Sequence, residues 1–350
     1  MNNFLLQKRF LLLVVVFQIW LMPVATFGQV PRYSQYMMNE FIVNPAMAGS
    51  DGRTIINLTG RKEWVGFGNG VPTPQTYSLS IQHRTLDREY AKTLGASGNK
   101  YESLHKSNVG WGLSFINDFN GAMQRQGISA TYAYHLYLNP AQLSFGISGS
   151  ITQLNIRSQY LNFENNSDIM SGLANGSIWT PDVAFGMNLK YPHLQIGLSA
   201  VQLLQSSVTF GNTEVNLSSS NERFRRTYYL LASYLGDLKS SANWQYEPSI
   251  LIKANDHISS GIIAQADVVL RMIYQNALWF GLGYRTSSDF IALVGFRYNR
   301  LYFTYSFDYG NNEVMRYTYG SHELSVSMKL GSSVKRFRCI TNPQARKKTY

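Results

Sequence analysis

From residue 53 onward the chain alternates with a period of two almost everywhere, and this pattern limits its fold more than any other feature. The run TYSLSIQ sets Tyr77, Leu79 and Ile81 against Thr76, Ser78, Ser80 and Gln82. In VGWGLSF, Val109, Trp111, Leu113 and Phe115 alternate with Gly110, Gly112 and Ser114. QLSFGISGSIT places Leu143, Phe145, Ile147 and Ile151 against Gln142, Ser144, Gly146, Ser148 and Ser150. One apolar face and one polar or small face per segment mark strands that separate two environments. No long helical stripe interrupts them, so the class is all-β.

Fourteen strands are predicted, at 53–61, 75–83, 108–118, 126–136, 141–153, 180–190, 194–201, 226–235, 246–254, 262–274, 277–285, 290–298, 301–309 and 321–330. The segment 290–298 differs from the rest in being apolar on both faces. Connections after even-numbered strands are often tight: YLNPA (137–141), YPH (191–193), QN (275–276) and NR (299–300). After odd-numbered strands several are long and polar, at 61–74, 154–179, 202–225 and 310–320. An even strand count with tight turns at one rim and long loops at the other describes a transmembrane antiparallel up-and-down β-barrel of the outer-membrane type. The strand lengths suit the roughly 9–11 residues that cross a bilayer at a tilt. On this reading residues 53–330 form the barrel, polar faces line the lumen, apolar faces meet lipid, and both termini lie in the periplasm. A soluble sandwich or propeller also alternates. It would have to bury its apolar faces against each other, and it gives no reason for the asymmetry of the connections.

The first residues agree with export. Lys8 and Arg9 precede the apolar run FLLLVVVFQIWLM, Pro23 breaks it, and small residues follow at Thr26 and Gly28. This fits a signal peptide over 1–28, cut before Gln29; the alternative is an N-terminal membrane anchor. Removing it takes away Lys8 and Arg9 and lowers the formal charge from +11 to +9. The single cysteine, Cys339, rules out an internal disulfide framework. Charged residues make up only 15% of the chain while 14% are aromatic, which suits a lipid-facing barrel better than a soluble enzyme. Basic residues are dispersed apart from a C-terminal cluster, so no nucleic-acid partner is expected.

Two stretches on the tight-turn side carry charge of their own. The connection 84–107 holds Arg84, Arg88, Lys92, Lys100 and Lys106 against Asp87, Glu89 and Glu102. It is read either as a solvated loop or as a docking loop for a periplasmic partner. The basic tail 331–350 is open to the same two readings.

The usual catalytic patterns are absent: there is no GxSxG elbow, no phosphate-binding glycine loop, no HExxH. GFGNG (66–70) lies between strands and opens no helix. The six histidines have no ligand spacing, so neither a metal nor a cofactor is expected. Asp182, Asp267, Arg271, Asp308, Glu323 and Lys329 do fall on the inward face. Asp308 and Glu323 lie at the long-loop end of neighbouring strands. They are either a pair of catalytic carboxylates or, as preferred here, salt-bridge partners for residues such as Arg285 or Arg316.

The stretch between leader and barrel, residues 29–52, has neither period. Its core, QYMMNEFIVNPAMAGS, resembles the N-terminal signature of the PorP/SprF family of Bacteroidetes outer-membrane proteins. The matching residues are Gln35, Tyr36, Met37, Asn39, Asn44, Pro45, Ala46, Ala48 and Gly49. Arg61 and Trp64, then Pro72 and the strand from Gln75, resemble the family's continuation. YSFDY (305–309) and GSHELSVSMKL (320–330) resemble its last two strands and include Asp308, His322 and Glu323. The pair Arg338-Cys339 resembles its tail, although Ile340 stands where the family usually has Pro.

The resemblance implies a non-enzymatic outer-membrane component of type IX secretion, which in some relatives also serves gliding motility. Its implied partners are periplasmic and lipoprotein components of the machinery, or a large secreted adhesin as cargo. The other function carried forward is a porin- or FadL-like pore for small molecules. Residues 29–52, too poor in charge to stay comfortably solvated, are expected to pack at the periplasmic mouth or to plug the lumen. Asn39 and Asn44 would then satisfy backbone groups, with NPAMAG turning the chain into the first strand.

Overall fold

The computed structural model describes residues 31–67, 72–85, 108–138, 140–157, 177–206, 224–238, 243–257, 261–310 and 316–331. The leader, residues Arg88, Lys92, Lys100 and Lys106, and the tail with Cys339 lie outside them. The long strands are β1 (Thr54–Lys62), β2 (Gln75–Arg84), β3 (Val109–Asn120), β4 (Met123–Leu138), β5 (Ala141–Ile156), β6 (Ser177–Lys190), β7 (Leu194–Val201), β8 (Thr227–Tyr234), β10 (Trp244–His257), β11 (Gly261–Tyr274), β12 (Leu278–Arg285), β13 (Asp289–Tyr298), β14 (Leu301–Gly310) and β15 (Ser321–Leu330). A two-residue strand, β9 (Gly236–Asp237), extends the edge of β10.

Each long strand pairs antiparallel with its neighbour in the chain, and β15 pairs with β1 from Leu330↔Thr54 to His322↔Lys62. The result is a closed fourteen-strand barrel, and all fourteen predicted strands are present. Closure leaves no unpaired edge, which hydrocarbon would not tolerate. Outward side chains on every long strand form an exposed apolar belt that includes Leu58, Leu79, Phe115, Ile147, Leu198, Val268, Phe280, Val294 and Leu324. A one-residue slip in any pairing would turn that belt inward, so the alternation fixes the register as well as the face.

The connections sort largely as expected. Strands β1 and β15 start and end at a rim whose tight turns are 139–140, 191–193, 275–277 and 299–300. Gln275 and Asn276 both adopt positive φ, +48° and +53°, as a primed two-residue hairpin turn requires. The opposite rim carries 63–74, 157–176, 202–226 and 311–320. It also has short links, at 121–122, 258–260 and 286–288, so the asymmetry is incomplete. Below, these are the short-turn rim and the long-loop rim.

The inner wall is mostly small and polar: Asn57, Ser78, Ser80, Ser144, Asn188, Ser306, Ser325 and Ser327 are all buried. One sector departs from the expected polar lining. Leu231 on β8, Leu251 on β10, Val269 on β11, Trp279 on β12 and Ile291 and Leu293 on β13 also point inward. This explains why 290–298 reads apolar on both faces: one face meets lipid and the other meets residues 31–52.

Candidate functional site: a filled lumen

Residues 31–52 run through the barrel as three short turns, a 3₁₀ turn at Tyr36–Met38, a single α-turn at Glu40–Val43 and a 3₁₀ turn at Pro45–Met47. None is long enough to be stable alone; the wall holds them. Tyr36 and Val43 pack into the apolar sector with Leu231, Leu251, Val269, Trp279 and Leu293. Phe41, Met47 and Ala48 cluster with Ala133 on β4. Full burial of a side chain such as Phe41, Val43 or Met47 contributes roughly 1.5–3 kcal/mol each. The segment is therefore seated chiefly by apolar contact, and its polar contacts set the position.

The backbone comes close to the wall where the wall is glycine. A methyl group on Gly146 (β5) would collide with the Pro45 backbone, and one on Gly186 (β6) with the Asn44 amide. On Gly197 (β7) it would lie 2.8 Å from Asn44 Nδ2, on Gly112 (β3) it would enter the Phe41 ring, and on Gly110 it would meet the Ala48 carbonyl. Glycine inside a strand commonly marks such an approach. The Asn44 side chain then does three things at once: Oδ1 accepts from Ala46 N at 2.9 Å, and Nδ2 donates to Met187 O at 3.0 Å and Leu198 O at 3.3 Å. This matches the expectation for Asn44. Asn39 differs, since its amide bonds the Asn57 and Ser80 side chains rather than backbone.

Pro45 opens the 3₁₀ turn that follows Asn44. His135 Nε2 meets Ala48 O at 2.9 Å, and Gly49, at φ +70°, donates its N–H to Gln82 Oε1 at 3.0 Å. Asp51 pairs with Lys190 at 2.7 Å, and this cation holds its carboxyl well below the usual range. Glu40 accepts from Gln195 Nε2 at 2.8 Å, yet burial in the lumen pushes its carboxyl up to about 7.

Near the long-loop rim six strands converge on a buried charge cluster. Arg61 (β1) reaches Asp308 (β14) at 2.8 Å, Glu323 (β15) at 3.1 Å and Glu63 at 2.9 Å. Arg285 (β12) reaches Asp267 (β11) at 2.9 Å, Asp308 at 3.3 Å and Asp289 at 3.6 Å. Ser34 sits between the two guanidiniums. Its Oγ accepts from Arg61 at 2.8 Å and Arg285 at 3.2 Å and donates to Asp308, while its N–H donates to Glu323 at 2.8 Å. Gln35 adds N–H to Glu323 at 3.1 Å and Nε2 to Ser306 at 3.2 Å, and Tyr36 Oη bonds Ser249 Oγ at 3.0 Å. Burial raises the Glu63 carboxyl, but Arg61 and Arg32 outweigh it and hold the group at about 2.

This arrangement settles the position of the sequence-predicted residues. Gln35, Tyr36, Asn39, Asn44, Pro45 and Gly49 line one continuous path, and Arg61, Asp308 and Glu323 meet its upper end. Arg285 is a partner of the carboxylates as expected, whereas Arg316 is exposed. His322 is on the other face: it takes a 2.6 Å bond with Tyr305 Oη outside the barrel, because period two alternates it with Glu323. Trp64 turns the chain after β1 at φ +52°, its N–H on Ser321 Oγ at 3.3 Å. Arg84, expected in a docking loop, is the last residue of β2; it points inward with its guanidinium 5.0 Å from the Tyr137 ring. Ser34 and the glycine cradle were not singled out by the sequence. Among the described residues no group of His, Cys, Asp and Glu side chains could hold a metal.

A family profile described as type IX secretion system membrane protein PorP/SprF matches residues 25–328, which covers both the filled lumen and the barrel around it. The chain belongs to the PorP/SprF family. No curated protein sequence matches it. The CymD monoaromatic hydrocarbon channel is similar in structure at a TM-score of 0.46, with 11% identity over 88% of this chain and 94% of that one. Omp33 of Acinetobacter baumannii gives 0.41 and 8%, covering 80% of this chain and 99% of that one. A FadL homologue of Pseudomonas aeruginosa gives 0.41 and 9%, covering 82% and 92%. Likeness this distant carries no argument about what a PorP/SprF barrel does. The family and the lipid-facing belt make this an outer-membrane barrel of type IX secretion.

Proposed function

We propose that this PorP/SprF barrel is non-enzymatic and supports the export or surface attachment of cargo proteins, among them gliding adhesins, by holding partners at its rims. The observation that supports this reading is that residues 31–52 pack inside the lumen against the wall, where a pore would keep its channel. A porin- or FadL-like pore would first have to expel a segment bonded to strands all round the wall, among them β1, β2, β4, β6, β7, β10, β14 and β15. The buried carboxylates argue the same way: Asp308 and Glu323 each bond Arg61 and Ser34, which suits a clamp better than an acid–base pair. With the short turns in the periplasm, as in bacterial outer-membrane barrels, the basic connection after Arg84 and the basic tail face periplasmic and lipoprotein components of the machinery. The long loops face cargo.

Mild cross-linking of native outer membranes, followed by affinity capture of this chain and mass spectrometry, tests the proposal. Machinery components or one dominant large surface protein are expected. Capture of the barrel alone, together with solute flux through the purified protein in liposomes, would overturn it. Deleting residues 30–49 should impair secretion while the barrel still inserts.

A further inference from the structure

The direction of the segment within the lumen has a topological consequence. Its end lies at the short-turn rim: Gly49 bonds Gln82 near the end of β2, Asp51 bonds Lys190 at the end of β6, and β1 starts at Thr54 beside Leu330. Its described beginning lies at the opposite rim. Arg32 reaches Glu63, just past the far end of β1, at 3.1 Å, and Pro31 and Tyr33 border Lys253, Gln265 and Asp267 in the long-loop half of β10 and β11. Ser34 is fixed at that level by Asp308 and Glu323, one at the end of β14 and the other at the start of β15.

A signal peptide cut before Gln29 leaves two residues ahead of Pro31, which span at most about 7 Å. The apolar band of an outer-membrane barrel is about 25 Å tall. Two residues cannot return across it, and the lumen below them is occupied. The C-terminal tail, by contrast, follows Leu330 at the short-turn rim.

We infer that the mature chain is threaded through its own barrel, with its N-terminus presented at the long-loop mouth and its C-terminal tail on the opposite side of the membrane. The outer-membrane protein thus offers one chain end to each compartment, in place of the two periplasmic ends expected from the sequence. The inference rests on this geometry and on cleavage before Gln29, and does not depend on the proposed role in secretion.

The native Cys339, the chain's single cysteine, gives a ready reporter for the tail. Val30→Cys and Tyr317→Cys, each in a Cys339→Ser background, report the N-terminus and the long-loop rim; Tyr317 is 78% exposed. Cells are treated with a membrane-impermeant maleimide, intact and after permeabilisation of the outer membrane. On intact cells Val30→Cys should give the same result as Tyr317→Cys and Cys339 the opposite result, with permeabilised cells as the positive control for all three. Val30→Cys matching Cys339 rather than Tyr317→Cys on intact cells would overturn the inference. A flexible epitope inserted between Gln29 and Val30, read by antibody on intact and permeabilised cells, decides the case if the thiol is shielded. On intact cells the epitope must follow Tyr317→Cys; an epitope that follows Cys339, or that is detected in neither preparation, would overturn the inference.

Discussion

Ser34 and Glu323 are 289 positions apart in the chain, and the Ser34 N–H donates to Glu323 Oε2 at 2.8 Å. Arg61, on the strand that pairs with the one carrying Glu323, bonds both residues. The two strands that close the barrel, β1 and β15, are therefore joined by their ladder and also through the segment inside them. Asn57 repeats the pattern lower down, bonding Asn39 at 3.1 Å and Ser325 at 3.1 Å.

Arg61→Ala should destabilise the barrel by roughly 3–5 kcal/mol, because it strips the buried Glu323 of its guanidinium and leaves Asp308 with Arg285 alone. Arg61→Lys should recover only part, since an ammonium cannot serve Asp308, Glu323 and Glu63 in fixed directions. Thermal unfolding in detergent, followed by the heat-dependent gel shift of barrel proteins, measures both.

Gly146→Val should unseat the plug without unfolding the barrel, because the new side chain occupies the space of the Pro45 backbone. Gly149→Val on the same strand is the control; a methyl group there meets nothing within 4 Å. Limited proteolysis should cleave residues 31–52 in the first variant and leave them protected in the second.

Asn44→Ala removes three hydrogen bonds at a buried turn and should cost about 1–3 kcal/mol, felt mainly as weaker seating of the plug. The same proteolysis, run as a function of denaturant, should show the plug released before the strands unfold.

Glu40 gives the plug a pH dependence. Its folded carboxyl sits at about 7, raised by burial above an ordinary glutamate, so the folded state holds its proton more tightly than the unfolded one. The stability linked to that proton is complete below the ordinary range near 4.5 and is lost as pH rises through 7. Between pH 6 and pH 8 the plug should loosen in the natural protein, and Glu40→Gln should flatten that dependence. Asp51 does not contribute in this window, because Lys190 keeps it ionised throughout.

The barrel was legible because lipid and lumen impose opposite demands on alternate residues, and β7 and β15 fall where the alternation places them. The lumen was half legible. Period two puts Asp308 and Glu323 inward, but charge partners come from strands far apart in sequence, so Arg285 could be named while Arg61 appeared only as a motif residue. The same period, followed one residue further, would have placed His322 in lipid. Gly110, Gly112 and Gly146 were visible as small residues on the inner face. Why they are glycine depends on Phe41, Pro45 and Ala48, and a segment without its own period gives no sign of where it packs. Its direction through the barrel is likewise a tertiary fact, set by Ser34 at one end and Gly49 at the other.

The most direct test of the account is the conductance of the purified protein in a planar bilayer, beside the deletion of residues 30–49. The natural barrel should be electrically silent, and the deletion variant should open steady channels. Steady porin-like conductance from the natural protein, unchanged by the deletion, would contradict it.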